Sequence, residues 1–173
     1  MKYRSEIDGL RALAVIPVIL FHAGFNAFDG GFLGVDVFFV ISGYLITSLV
    51  LAEKASAKFS LINFYQRRTR RILPALYFVL LIVSILAAII MLPTQLKDFG
   101  QSVISTTSFT ANIYFWLKTD YWTPSADLSP LIHMWSLGIE EQFYIFFPLL
   151  LIFIKKINLR IIFFIILVFS FSG

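Results

Sequence analysis

From position 72 to position 92 the chain runs twenty-one residues without one charged side chain. A helix of that length rises ~32 Å, about the thickness of the hydrocarbon core of a bilayer. In lipid, a helix satisfies every backbone N–H and C=O within its own segment, which is why such a run is read as a membrane span. Comparable runs lie at about 7–25, 32–52 and 131–154, and another begins after Arg160. The expected fold class is all-α, a polytopic transmembrane helix bundle with about five spans. Composition agrees: 59% of residues are hydrophobic and 14% charged, whereas a soluble domain is nearer half apolar and a quarter charged.

The basic residues fix an expected orientation. Lys2, Arg4 and Arg11 flank the first run. Lys54, Lys58, Arg67, Arg68, Arg70 and Arg71 lie between the second and third, and Lys155, Lys156 and Arg160 follow the fourth. Twelve of the fourteen basic residues therefore fall in alternate connections, and only Lys97 and Lys118 fall elsewhere. The positive-inside rule places those connections and the N-terminus in the cytoplasm. It also requires that 93–130 not cross the bilayer. This stretch, rich in Ser and Thr and then in Tyr and Trp, is expected to be an interfacial or re-entrant segment on the outer side. Glu6 and Asp8 stand beside Lys2 and Arg4 before the first run, and no small-residue cleavage pattern ends it, so it reads as a retained span. Pro17 is expected to kink it, and Pro74 to sit in the first turn of the third span, where proline is tolerated. The run at 159–171 stops short of spanning length at Gly173, so the chain reads as the N-terminal part of a longer protein.

With no cysteine, disulfides and thiolate chemistry are excluded. The charge pattern follows the membrane and argues against a nucleic-acid partner. No metal-binding motif, phosphate-binding glycine loop or dinucleotide fingerprint is present.

Ionisable residues inside spans are the candidates for function. Arg11 and His22 are eleven residues apart, ~20° past three full turns, so they share a face with a rise of ~16 Å between them. Asp36 enters the second span at the depth where His22 leaves the first, and its carboxylate is placed to orient the imidazole as a general base. The plainer alternative is that His22 bonds a backbone carbonyl at its helix end. Asp8 stands at i−3 from Arg11 and is expected to pair with it. Arg68 and Arg71, three apart, present a forked surface suited to phosphate, or else serve as a topology signal attracted to anionic lipid. His133 and Glu140 are seven apart and co-facial. Glu141 beside Glu140 puts two carboxylates at a membrane entrance, either as a site or as a headgroup-level cap. Ser42 and Gly43 are read as small residues that allow close helix packing rather than as a nucleophile with its base.

Four segments in order resemble the acyltransferase-3 family of membrane O-acyltransferases: Asp8-Gly-Leu-Arg11 followed by His22; Gly34-Val-Asp36 through Ser42-Gly43; Phe64-Tyr-Gln-Arg-Arg68-Thr-Arg-Arg71-Ile-Leu-Pro74; and His133-Met-Trp135-Ser-Leu-Gly-Ile-Glu140-Glu141-Gln-Phe-Tyr144. The stretch 121–144 most resembles the subgroup that carries a C-terminal SGNH domain. The resemblance implies that residues 1–173 are the N-terminal half of a membrane domain of about ten spans in the bacterial cytoplasmic (inner) membrane. It implies cytoplasmic acyl-CoA, acetyl-CoA in the first instance, as donor, with no metal. The acceptor would be a hydroxyl of a surface polysaccharide or lipid-linked glycan, such as the O-antigen of lipopolysaccharide or peptidoglycan. Catalytic roles would fall to His22, Asp36 and Glu140, and donor binding to Arg11, Arg68 and Arg71. The acceptor side would carry His133, Trp135 and Glu141. The competing readings are a proton-coupled transporter using His22, Asp36 and Glu140 as a relay, and a polysaccharide-export subunit. Polar residues clustered at two faces, one of them rich in arginine, favour the transferase over a transporter.

Overall fold

Three of the described helices are long and apolar enough to cross a membrane: Gly31–Ala55, Leu61–Ile90 and Met134–Ile152. They belong to a computed structural model that describes residues 5–57, 59–118 and 129–153. The helices in order are α1 (Ser5–His22), α2 (Gly34–Ala55), α3 (Leu61–Ile90), α4 (Pro93–Thr107), α5 (Ala111–Lys118) and α6 (Met134–Phe153), with two 3-10 turns between α1 and α2. The architecture is an all-α membrane helix bundle. α1 has 18 residues and carries Glu6, Asp8 and, in its interior, Pro17; with Arg11 as well, it holds three charged side chains. The expected fifth span and the basic residues before it lie outside the described residues.

The third span differs from expectation in where it starts. Helix α3 begins at Leu61, where the Ser60 hydroxyl accepts a hydrogen bond from the Asn63 amide at 3.4 Å. All four arginines of the basic cluster are therefore helical rather than in a connecting loop, and Pro74 lies in the helix interior rather than in its first turn. Arginine is a good helix former. Phe64 is almost wholly buried and anchors this turn in the core before the apolar run starts.

Two apolar clusters hold the bundle. One joins Leu76, Leu80 and Ala87 of α3 to Phe99 of α4, Phe115 of α5 and Leu131 before α6. The other joins Ile46 and Val50 of α2, Phe64 of α3, and Tyr144 and Leu151 of α6. Polar side chains fasten the second cluster to backbone. The Tyr65 hydroxyl donates to the Ile145 carbonyl at 2.8 Å, and the Lys54 ammonium donates to the Leu151 carbonyl at 2.7 Å.

Segment 93–118 consists of two short helices of 15 and 8 residues, neither of spanning length. They turn back on each other at Phe109, whose φ of 55° lies in the left-handed region. That conformation costs a bulky residue about 1–2 kcal/mol. Gln142 of α6 offsets the cost, because its Nε2 donates to the Phe109 carbonyl at 2.9 Å and to Asn112 Oδ1 at 3.0 Å. The Asn112 amide donates back to Gln142 Oε1 at 3.2 Å. Gln142→Ala is expected to lower stability by about 1–3 kcal/mol, because it leaves part-buried amide and carbonyl groups unpaired. Thermal unfolding in detergent measures this, and Asn112→Ala in the same background should add little, since the two amides act as one unit.

At the end of α5 the Lys118 ammonium donates to Asp98 Oδ1 at 2.5 Å, and this bond to the carboxylate, with a second to Tyr114, raises the Lys118 pKa. A raised lysine pKa adds stability that is present at neutral pH and fades only as pH climbs through the raised value. The pair is exposed and its effect is small.

Candidate active site

His22 is the last residue of α1. Its Nδ1 lies 2.8 Å from the Val18 carbonyl, one turn back. A carbonyl only accepts, so Nδ1 carries the proton and the lone pair of the neutral ring is on Nε2. The ring meets that of His133 edge to face, with centroids 4.4 Å apart. His133 sits in the turn that leads into α6. Sequence spacing makes His133 co-facial with Glu140, and the fold brings its ring to His22.

Asp36 lies in the first turn of α2 and is exposed. No hydrogen bond joins it to His22 among the described residues, which corrects the expected orienting contact. The Nδ1 proton is already taken by the backbone of its own helix, the alternative that the sequence left open. Asp36 keeps the favourable place of a carboxylate at a helix N-terminus.

Arg11 does not pair with Asp8 among the described residues either. Its guanidinium lies over the Phe38 ring at 5.0 Å. Its Nε is buried without a hydrogen-bond partner. The long stem turns inward between α1 and α2, where the ring face attracts the cation.

The third group of polar side chains joins α2, α3 and α6. Ser42 Oγ donates to Glu140 Oε1 at 2.7 Å, and the Tyr144 hydroxyl donates to the same oxygen. The Arg68 guanidinium lies over the Tyr144 ring, 4.2 Å from its centroid. Stacking uses the face of the guanidinium and leaves its in-plane N–H groups, none of which bonds a described residue. Arg71 is exposed on the next turn, while Arg67 is held by Glu53 at 2.8 Å. Glu141, the next residue after Glu140, is buried, with Oε1 unpartnered. Trp135 meets Phe39 edge to face at 6.4 Å.

The expected residues therefore form two centres on α6. His22 and His133 sit at its start. Glu140, Tyr144 and Arg68 sit six to ten residues further on, a rise of ~9–15 Å. Two members were not anticipated. Tyr144 stands at i+4 from Glu140, so its contact was available from spacing alone. Ser42 is 98 residues from Glu140, and no local pattern links them.

The Acyltransferase domain model of the acyltransferase-3 family matches residues 4–173. The chain is 42% identical over 160 residues to the peptidoglycan O-acetyltransferase OatA of Listeria monocytogenes, covering 91% of this chain and 26% of that protein. It is 42% identical over 155 residues to the O-acetyltransferase OatA of Staphylococcus aureus, covering 88% of this chain and 25% of that protein. No solved structure matches the chain. It thus spans about a quarter of the length of the curated relatives it matches. With its several membrane-crossing helices and a family model that covers nearly its whole length, the chain is a multi-pass membrane protein that belongs to the acyltransferase-3 family.

Proposed function

We propose that this chain contributes the donor-binding and proton-transfer groups of an O-acetyltransferase that moves acetyl from cytoplasmic acetyl-CoA to a hydroxyl of a cell-wall glycan. The Listeria relative's name favours peptidoglycan over O-antigen as the acceptor class. One observation carries the reading: α6 holds both chemistries on one rail. Arg68 lies over the Tyr144 ring, and ~15 Å back along the helix His22 meets His133 edge to face. That distance is comparable to the reach of the phosphopantetheine arm. Phosphates held at Arg68 and Arg71 leave the thioester within reach of the two histidines.

The chemistry follows from the tautomer. His22 Nε2 takes the proton of the acceptor hydroxyl as its oxygen attacks the thioester carbonyl carbon. The carbon–sulfur bond breaks, and the proton passes to the departing thiolate. The acceptor becomes the acetyl ester and the donor becomes the free thiol, so no oxidant or metal is needed. With the basic connections facing the cytoplasm, Arg68 and Arg71 face the donor pool.

The test is transfer of label from acetyl-CoA, radiolabelled in its acetyl group, to cell-wall glycan by the intact protein in membranes. Each charge-assisted hydrogen bond to phosphate contributes about 1.5–3 kcal/mol. Arg71→Ala, which lies outside the packed core, is therefore expected to raise KM for acetyl-CoA about tenfold or more with kcat little changed. Absence of any transfer from acetyl-CoA by the wild type overturns the reading in favour of a transport role.

A further inference from the structure

Glu140 is held in an unusual way. Both of its hydrogen bonds, from Ser42 Oγ on α2 and from the Tyr144 hydroxyl on α6, fall on Oε1. Oε2 receives none from any described residue. Two donors on one carboxylate oxygen fix the rotation of the group and leave the second oxygen as a free acceptor. Glu140 and Ser42 also line a cavity of about 340 Å³ between α2 and α6. Its other walls are Phe39, Val40, Gly43, Ile139 and Phe143, so the glutamate and the serine are its only polar side chains among the described residues. Ser42 is itself 3% exposed. A buried hydroxyl that bonds a carboxylate across two helices is more than the small packing residue its place in a span suggested.

We infer that Ser42, with Tyr144, is a positioning residue that pins Glu140 by one oxygen and presents the other at the mouth of an apolar cavity suited to the amide-bearing pantetheine arm of the donor, partway along α6 from Arg68 to the two histidines. The inference rests on the acetyltransferase reading and deepens it. An apolar cavity with one fixed acceptor suits the methyl, thioether-like and amide groups of that arm. Its donors are the amide N–H groups and the pantoyl hydroxyl, and Oε2 is the acceptor placed for one of them. Tyr144 ties this carboxylate to the Arg68 guanidinium on its ring, so the phosphate end and the arm of the donor share one support.

The experiment is steady-state acetyl transfer by the intact protein in membranes, comparing wild type, Ser42→Ala, Ser42→Thr, Glu140→Gln and the double variant Ser42→Ala/Glu140→Gln. Ser42→Ala is expected to lower kcat about tenfold, with the thermal midpoint in detergent and KM for acetyl-CoA nearly unchanged. Ser42→Thr keeps the hydroxyl, and its methyl has the cavity to occupy, so it should restore most of the rate. The double variant should be no slower than Glu140→Gln alone, because the serine acts only through the glutamate. Wild-type rates in Ser42→Ala, failure of Ser42→Thr to recover, or a double variant slower by the full product of the two losses each overturn the inference while leaving the acetyltransferase reading intact. A wild type that transfers no acetyl overturns both.

Discussion

Gly34→Ala is expected to detach α1 from α2. A Cβ at position 34 would stand 2.1 Å from the Ala14 carbonyl oxygen and 2.8 Å from Val18 Cγ2. At position 31 it would stand 2.2 Å from the Pro17 carbonyl oxygen and 2.9 Å from Phe21 Cβ. The obstructing atoms are mostly helix backbone, which cannot turn aside as a side chain end can. Overpacking of this kind costs about 1–3 kcal/mol where neighbours relax, and here the relaxation available is movement of the whole of α1. Without a hydrophobic driving force between helices in lipid, close backbone approach at small residues is what holds such a pair. Both Gly31→Ala and Gly34→Ala should therefore lower the thermal midpoint in detergent sharply, and the double variant should fail to accumulate. Gly100→Ala is the control, since a Cβ there meets nothing within 4 Å. In the interior of α4 it should stabilise the helix by up to about 1 kcal/mol. A Gly34→Ala protein as stable as the wild type would show that α1 does not pack on α2 as described. Survival at reduced stability has a second signature: His22 rides on the displaced helix, so transfer should fall more than stability does.

These glycines show what was and was not legible in the sequence. The composition of residues 26–31 marks a turn, and two 3-10 turns lie there and just after it, but nothing local says that Gly31 and Gly34 are pressed against the carbonyls of Pro17 and Ala14. Spanning runs are legible because length and hydropathy are local properties. The start of α3 is not, because charge marks Arg67–Arg71 as a connection while the buried Phe64 continues the helix through it. The Arg11–His22 stripe needed only helix geometry. Partners are less legible than positions: depth puts Asp36 level with His22, yet the His22 proton goes to the nearest backbone carbonyl, and helical period puts His133 on the face of Glu140, yet its ring meets His22 from a chain-distant helix. Ser42, dismissed for lack of a base nearby in sequence, finds Glu140 because α2 and α6 pack together.

His22→Ala is expected to lower kcat for acetyl transfer by about 10²–10⁴, the usual contribution of a positioned general base. The size follows from where the proton is. Because the Val18 carbonyl claims Nδ1–H at 2.8 Å, the neutral ring offers Nε2 without help from a carboxylate. The helix end does for this imidazole what an aspartate does in a carboxylate-oriented histidine. Two consequences separate this arrangement from an Asp–His dyad. Asp36→Asn, which removes no hydrogen bond to His22 among the described residues, should cost far less than His22→Ala. A dyad would lose comparable rate at both positions, since the wrong tautomer is as damaging as a missing base. His133→Ala should fall between them, because it removes the ring packed edge to face at 4.4 Å that helps hold His22 in its rotamer. His22→Gln should not rescue, because an amide has the hydrogen-bonding shape but no basic lone pair. These are steady-state measurements on one preparation, with KM for acetyl-CoA expected to stay within a few fold, since His22 meets the donor only at its acyl end. A His22→Ala protein retaining more than a tenth of the wild-type kcat would remove the base from α1 and leave Glu140, with its free Oε2, as the group to carry the proton.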